Sequence, residues 1–118
     1  MHACAVLQYM APLNGDKLNR CVRAMANSSL ADGAPPVSSK MVNMRLCTAD
    51  VSHELTGFEH NAVSPVGCRT QMPLVMSDRI AKLYPNWFWL GAGEADLKLG
   101  LSAADFVRAY QPTVADIC

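Results

Sequence analysis

Residues 56–68, TGFEHNAVSPVGC, constrain the fold more than any other stretch of this chain. Gly57, Pro65 and Gly67 punctuate a short apolar center, Ala62 and Ser64 are small, and His60 stands beside Asn61. Proline removes a backbone donor and glycine opens left-handed backbone, so neither a helix nor a central strand runs through here. The stretch is nevertheless too apolar for an ordinary surface loop. Its small side chains leave the backbone open to close approach, and either packing or ligand binding would use that.

Around this loop the chain alternates short strands with short helices. CAVLQYM (4–10) reads as a buried strand. Asn14 caps a predicted helix over 15–26, with Leu18, Cys21, Val22 and Met25 on one face and Lys17, Arg20 and Arg23 on the other. The Ser-, Gly- and Pro-rich segment 27–40 is a loop. MVNMRL (41–46) alternates like a half-buried strand. Thr48 caps a helix that stops at Gly57. PLVMS (73–77) is a strand and DRIAKLY (78–84) about two helical turns. NWFWLG (86–91) and DLKLGL (96–101) are strands. In the first, Trp87 and Trp89 share one face and Phe88 and Leu90 the other; in the second, Leu97, Leu99 and Leu101 lie together, away from Lys98. Ser102 and Asp105 start a helix to about 109, and TVADIC (113–118) closes with a strand. Interspersed short elements without a repeated βαβ unit indicate α+β.

Composition narrows the function. With 51% apolar and 17% charged residues, 118 residues make one globular domain. No apolar run approaches the roughly 18 residues that cross a bilayer. The start, MHACAVLQYM, lacks the basic leader and long apolar run of a signal peptide. Five widely spaced cysteines then read as free thiols in a reducing compartment, and the expected location is the cytoplasm. Ten basic and ten acidic residues cancel, so any nucleic acid would be held locally rather than by bulk charge.

Several constellations of reactive residues weigh against chemistry of their own. Cys47, His53, His60 and Cys68 lack the tight pairs of a zinc site. Cys68 has a histidine in the same loop but no third group to orient it as a nucleophile. Lys17, Arg20 and Arg23 read as a solvated helix face. WLGAGEAD (89–96) is not a phosphate-binding loop, since no lysine and hydroxyl follow its glycines. It shares small-residue character with 61–67. Two readings fit: the loops line one pocket, or they are tight turns in a compact barrel.

Read together, these segments resemble a known family. ELTGFEHNAVSPVG is followed by MPLVMSDRIAKL, FWLGAGEADLKLGLSAADFVRAY and PTVADIC. The order is a helix, a T-G-[FY] turn, a small-x-S-P-[FILV]-G loop, a proline-led strand, a glycine-rich turn, a Leu-x-x-x-Asp-[FL] helix and a last strand. This is similar to the YbaK/prolyl-tRNA-synthetase-associated domain over residues 41–118, and less sharply back through LQYMAPLNGDKL. The resemblance implies an α+β fold, a mixed β-barrel-like sheet with packed helices. It also implies one editing domain over 1–118, without the family's N-terminal part.

The implied activity is hydrolysis of the ester of a mischarged aminoacyl-tRNA. The aminoacyl group would sit between the small-residue loop and the sheet. Matched residue by residue, its surroundings are Asn61, Ala62, Val63, Ser64, Pro65, Val66 and Gly67, with Gly91, Gly93 and Lys98 opposite. Asn61 stands where the family often has glycine. Backbone N–H groups of Val66 and Gly67 would face the oxyanion. No side chain is assigned as catalytic, and no metal or cofactor is implied. The family's lysine precedes the stretch matching CAVLQYM, and Lys98 stands where several members carry an acid. The expectation is therefore weak deacylation, or, as the alternative, a catalytically silent binding or regulatory domain. Expected partners are the 3′ end of aminoacyl-tRNA, an aminoacyl-tRNA synthetase, and further copies of the chain through an exposed sheet edge; no membrane is expected.

Overall fold

The computed structural model describes residues 2–28, 30 and 33–118. Its elements run β1 (Cys4–Val6), α1 (Gly15–Ser28), a 3-10 turn (Ser39–Met41), α2 (Ala49–Thr56), β2 (Leu74–Ser77), α3 (Asp78–Ala81), β3 (Trp87–Gly91), β4 (Lys98–Ser102), α4 (Ala103–Tyr110) and β5 (Thr113–Ala115). β2 lies between β1 and β5 in a parallel sheet, with Val6 opposite Met76 and Ser77 opposite Ala115. β3 and β4 form a separate antiparallel pair. The class is α+β. Among the described residues the strands do not close into the expected barrel, because the β3–β4 pair bonds to no strand of the parallel sheet.

Strands pass straight into helices at two serines. Ser77 ends β2 and caps α3, its hydroxyl accepting the Arg79 N–H at 3.3 Å. Ser102 ends β4 and caps α4, accepting the Asp105 N–H at 3.3 Å. A side-chain oxygen satisfies one of the donors a helix start leaves free, so no connecting loop is needed. Asn86 ties the two units. Its amide donates to the carbonyls of Ala81 at 3.3 Å and Leu83 at 3.4 Å, while its oxygen accepts the Ala104 N–H at 2.8 Å.

Both sheets share one core of Val6, Met76, Ile80, Phe88, Ala103 and Phe106. The Phe106 ring meets Phe88 edge-on at 5.6 Å and stacks on Tyr110 at 5.1 Å. β2 is the apolar strand LVMS because helices or strands cover both of its faces. α1 is capped by Asn14 as expected, at 3.1 Å to the Lys17 N–H, but contributes no fully buried residue.

Five expectations change. The closing strand read over 113–118 ends at Ala115. The strand read over 4–10 ends at Val6, because its partner β2 turns into α3 after Ser77; Tyr9 and Met10 are fully exposed. Residues 41–46 form no strand, since they pair with none of the described strands; the segment is held instead by Asn19, which donates to the Val42 carbonyl at 3.2 Å. The helix read over 78–84 stops at Ala81. Pro85 disfavours helical backbone at Tyr84, and Asn86 takes the last carbonyls. Of Leu97, Leu99 and Leu101, only Leu101 packs on the core, because Leu97 precedes β4 and Leu99 lies toward its open end.

Phe106→Ala is expected to cost about 3–5 kcal/mol in urea denaturation, the range for truncating a buried phenylalanine. Tyr9→Ser, at a fully exposed position, should stay within about 0.5 kcal/mol of the parent.

Candidate functional site

The loop of residues 57–68 is tied at both ends to α2. Gly57 has φ 80° and donates to the His53 carbonyl at 2.8 Å, ending the helix. On the far side, Arg69 N–H reaches the Thr56 carbonyl at 3.0 Å and Thr70 N–H that of Leu55 at 2.8 Å. His53 Nδ1 lies 3.1 Å from the Phe58 carbonyl, to which it donates. Asn61 adopts φ 66°, the conformation a glycine would take and one that asparagine tolerates. Ser64 is buried and braces the turn. Its hydroxyl accepts the Val66 N–H at 3.1 Å, and its carbonyl accepts the Cys68 thiol at 3.0 Å.

The loop rests on the end of β3. Gly91 presents bare backbone there: a Cβ would lie 2.6 Å from the Val63 carbonyl oxygen. The Phe58 ring fills the remaining space between the glycine turns. A Cβ on Gly93 would come 3.2 Å from it, and one on Gly67 3.8 Å. Phe58 is thus the side chain that joins the two loops; sequence reading noted it as the aromatic of the T-G-[FY] turn but did not assign it to the site. Its position directly after the helix-ending Gly57 was the available signal.

Beside the loop runs an open groove of about 710 Å³, with Pro65, Gly67, Cys68, Met72, Tyr110 and Gln111 among its walls. Pro65 and Gly67 are the expected site residues that line it. Ala62 and Ser64 are buried beneath the loop, Val63 abuts Gly91, and Lys98 stands exposed opposite Gly91 in the hairpin. Tyr110 and Gln111 were not anticipated. Gln111 ends α4 with φ 49°, which turns the chain toward the groove.

The groove offers amide and carbonyl chemistry. Val66 N–H is already held by Ser64, whereas Gly67 N–H makes no hydrogen bond with the described residues. Burial raises the Cys68 thiol pKa, so a resting thiolate is disfavoured there. Burial, with the Cys68 thiol adding to it, pushes Cys4 up to about 11. Among the described residues no group of three His, Cys, Asp or Glu converges as a metal site. On α1, Lys17 is clasped by Asp116 at 2.8 Å and the Cys118 carbonyl at 2.7 Å, and Arg23 bonds Asn19 at 2.8 Å.

The family model described as aminoacyl-tRNA editing domain matches residues 38–109. Among solved structures, a candidate trans-editing enzyme for prolyl-tRNA synthetase is 22% identical with a TM-score of 0.69, covering 96% of this chain and 59% of that one. A hypothetical protein, APE2540, is 23% identical with a TM-score of 0.70, covering 98% and 63%. A scaffold from computational epitope grafting is 18% identical with a TM-score of 0.69, covering 96% and 62%. The chain therefore spans about three-fifths of the length of these structures. No curated protein sequence matches it.

Gly91→Ala should destabilise the chain by about 1–3 kcal/mol, because a backbone carbonyl cannot swing aside as a side-chain tip would. Gly15→Ala, with open space around it in a helical turn, should instead stabilise by up to about 1 kcal/mol. Paired chemical-denaturation curves check both signs. The raised pKa also sets thiol reactivity. At pH 8 Cys4 should carry roughly a hundredfold less thiolate than a thiol at the ordinary 9.0, so exposed Cys47 should alkylate far ahead of it. Timed iodoacetamide labelling read by mass spectrometry measures this; equal rates would contradict it.

Proposed function

Because this chain belongs to the aminoacyl-tRNA editing domain family, we propose that it hydrolyses the ester of mischarged aminoacyl-tRNA. The aminoacyl end enters the groove at residues 65–67, with Gly91, Gly93 and Lys98 on the neighbouring hairpin. Water attacks the ester carbonyl carbon, the carbon–oxygen bond to the ribose breaks, and the ribose oxygen takes up a proton. Catalysis requires donors placed where negative charge grows on the carbonyl oxygen. The unengaged Gly67 N–H on the groove wall is the observation that carries this reading. Ser64 holds Val66 N–H, so the loop offers one free donor of the expected pair and fixes it in place. A hydroxyl of the substrate ribose assists the water, since the mechanism assigns no protein base.

The substrate's 3′ end is the principal partner in this proposal; a synthetase and pairing of copies at a sheet edge are further partners of the same kind of reading. No helix of the described residues is long and apolar enough to cross a membrane. The proposed location is the cytoplasm, where aminoacyl-tRNA is made and used.

The engaged Val66 N–H also favours the second reading, a domain that binds the aminoacyl end without cleaving it. With one donor rather than two, hydrolysis should be slow, since a missing donor typically costs about a hundredfold to a thousandfold in rate. A panel of mischarged tRNAs, followed by release of free amino acid, separates the two. The expected result is release above the protein-free rate for at least one mischarged pair. Binding without acceleration for any pair would establish the silent domain instead.

A further inference from the structure

Apart from Gly91 and Lys98 at its far end, the outer face of the β3–β4 hairpin has no role in the site described above. Strand register places Trp87, Trp89 and Gly91 on that face, opposite Ser102, Gly100 and Lys98. Phe88 and Leu101 take the inner face and pack on the core. Trp87 is 50% and Trp89 67% exposed, and their rings meet edge-on at 6.4 Å. Gly100 is the floor beneath both. A Cβ there would lie 2.7 Å from the Trp89 ring and 3.0 Å from the Trp87 indole nitrogen. The rings are thus drawn down over bare backbone and held in place.

We propose that Trp87 and Trp89 form a stacking platform for the unpaired 3′-terminal bases of tRNA. Four observations point to this occupant. Side chains two apart on a strand repeat at about 7 Å, within the reach of one extended nucleotide. Lys98 stands on the same face, its side chain exposed and without a hydrogen-bond or ion-pair partner among the described residues, so it can meet one phosphate. Glu94 and Asp96, at the hairpin tip beyond it, repel further phosphates and confine the strand to the aromatic end. Last, the face leads through Gly91 to the Val63 carbonyl, so the platform adjoins the loop proposed to receive the ester. Rings interleaved with a cation are how single-stranded nucleic acid is held without sequence readout. The choice of tRNA as the RNA rests on the editing reading; the stacking surface itself does not.

The chain has two tryptophans, both on this face, so tryptophan fluorescence, excited at the red edge where tyrosine does not absorb, reports the platform alone. The probe is an unacylated single-stranded RNA ending in cytidine, cytidine and adenosine, which has no ester to cleave. Saturable quenching is expected. Trp89→Leu should weaken binding about tenfold or more, with Trp87 as reporter, while Trp89→Phe keeps most of it. The logarithm of affinity should fall with that of salt with a slope of about −0.7, one phosphate's worth, and Lys98→Gln should remove that slope. No quenching at millimolar RNA, or quenching unchanged in Trp89→Leu, overturns the platform. So does an emission shift that depends on protein concentration without RNA, which would mean a second copy covers the face. Quenching without hydrolysis of any mischarged tRNA leaves the platform and removes the editing reading. Undiminished hydrolysis by a Trp87→Leu/Trp89→Leu double variant, with no quenching in the parent, does the reverse.

Discussion

Two side chains make one body of two sheets that, among the described residues, share no strand pairing. Phe106 carries the apolar half of the join, reaching Phe88 of the hairpin and lying in one cluster with Val6 and Met76 of the parallel sheet. Asn86 carries the polar half, linking the end of α3 to the start of α4. The division of labor is physical. Apolar burial is strong but permits sliding, whereas a bridging amide fixes register and direction. Without Asn86 the carbonyls of Ala81 and Leu83 and the Ala104 N–H would each need another partner.

The hairpin held in this way supplies the surface on which the 57–68 loop rests. The contact is backbone against backbone, with the Val63 carbonyl over the bare Gly91. Only a residue without a Cβ allows it. Phe58 then fills the gap between the glycine turns, and Ser64 saturates the inside of the loop with its own hydrogen bonds. A loop fastened at α2, at β3 and internally loses little freedom when it meets a ligand. On the editing reading, such preorganisation is the condition under which a single amide donor, that of Gly67, would have catalytic value.

What was legible in the sequence was local. Asn14, Thr48, Ser102 and Gly57 are caps, and each acts on backbone within a few residues of itself, so the chain order already contains both partners. The alternation of WFWL likewise fixes which side chains share a face, and the tryptophans do stand outward together. What depended on distant partners was not legible. MVNMRL has the pattern of a strand, but pairing needs a partner edge elsewhere in the fold, and among the described residues it pairs with none. CAVLQYM is apolar throughout, yet it pairs only as far as β2 does. At the site, small residues announced close approach without naming the atom approached. That Gly91 meets Val63, and that Phe58 fills the space between Gly93 and Gly67, are facts of tertiary geometry.

Charge decides what kind of RNA contact such a protein can make. Ten basic residues are present, but several are already engaged by partners within the chain. Lys17 is clasped by Asp116, whose carboxyl it holds below the usual range by hydrogen bonding. Lys82 pairs with Asp78, Arg108 with Asp105, and Arg23 with the Asn19 amide. The three ion pairs among these add little stability, but they place a carboxylate beside the cation and weaken its pull on phosphate. A phosphate track along a double-stranded stem needs many free cations and would be steeply salt-dependent. On the editing reading, this chain must therefore grip its substrate at the end, through the ester, the last sugar and the unpaired bases. Those are the parts of an aminoacyl-tRNA that lie nearest the amino acid to be judged. A protein that spends its binding energy there discriminates by what is attached to the tRNA more than by the tRNA that carries it.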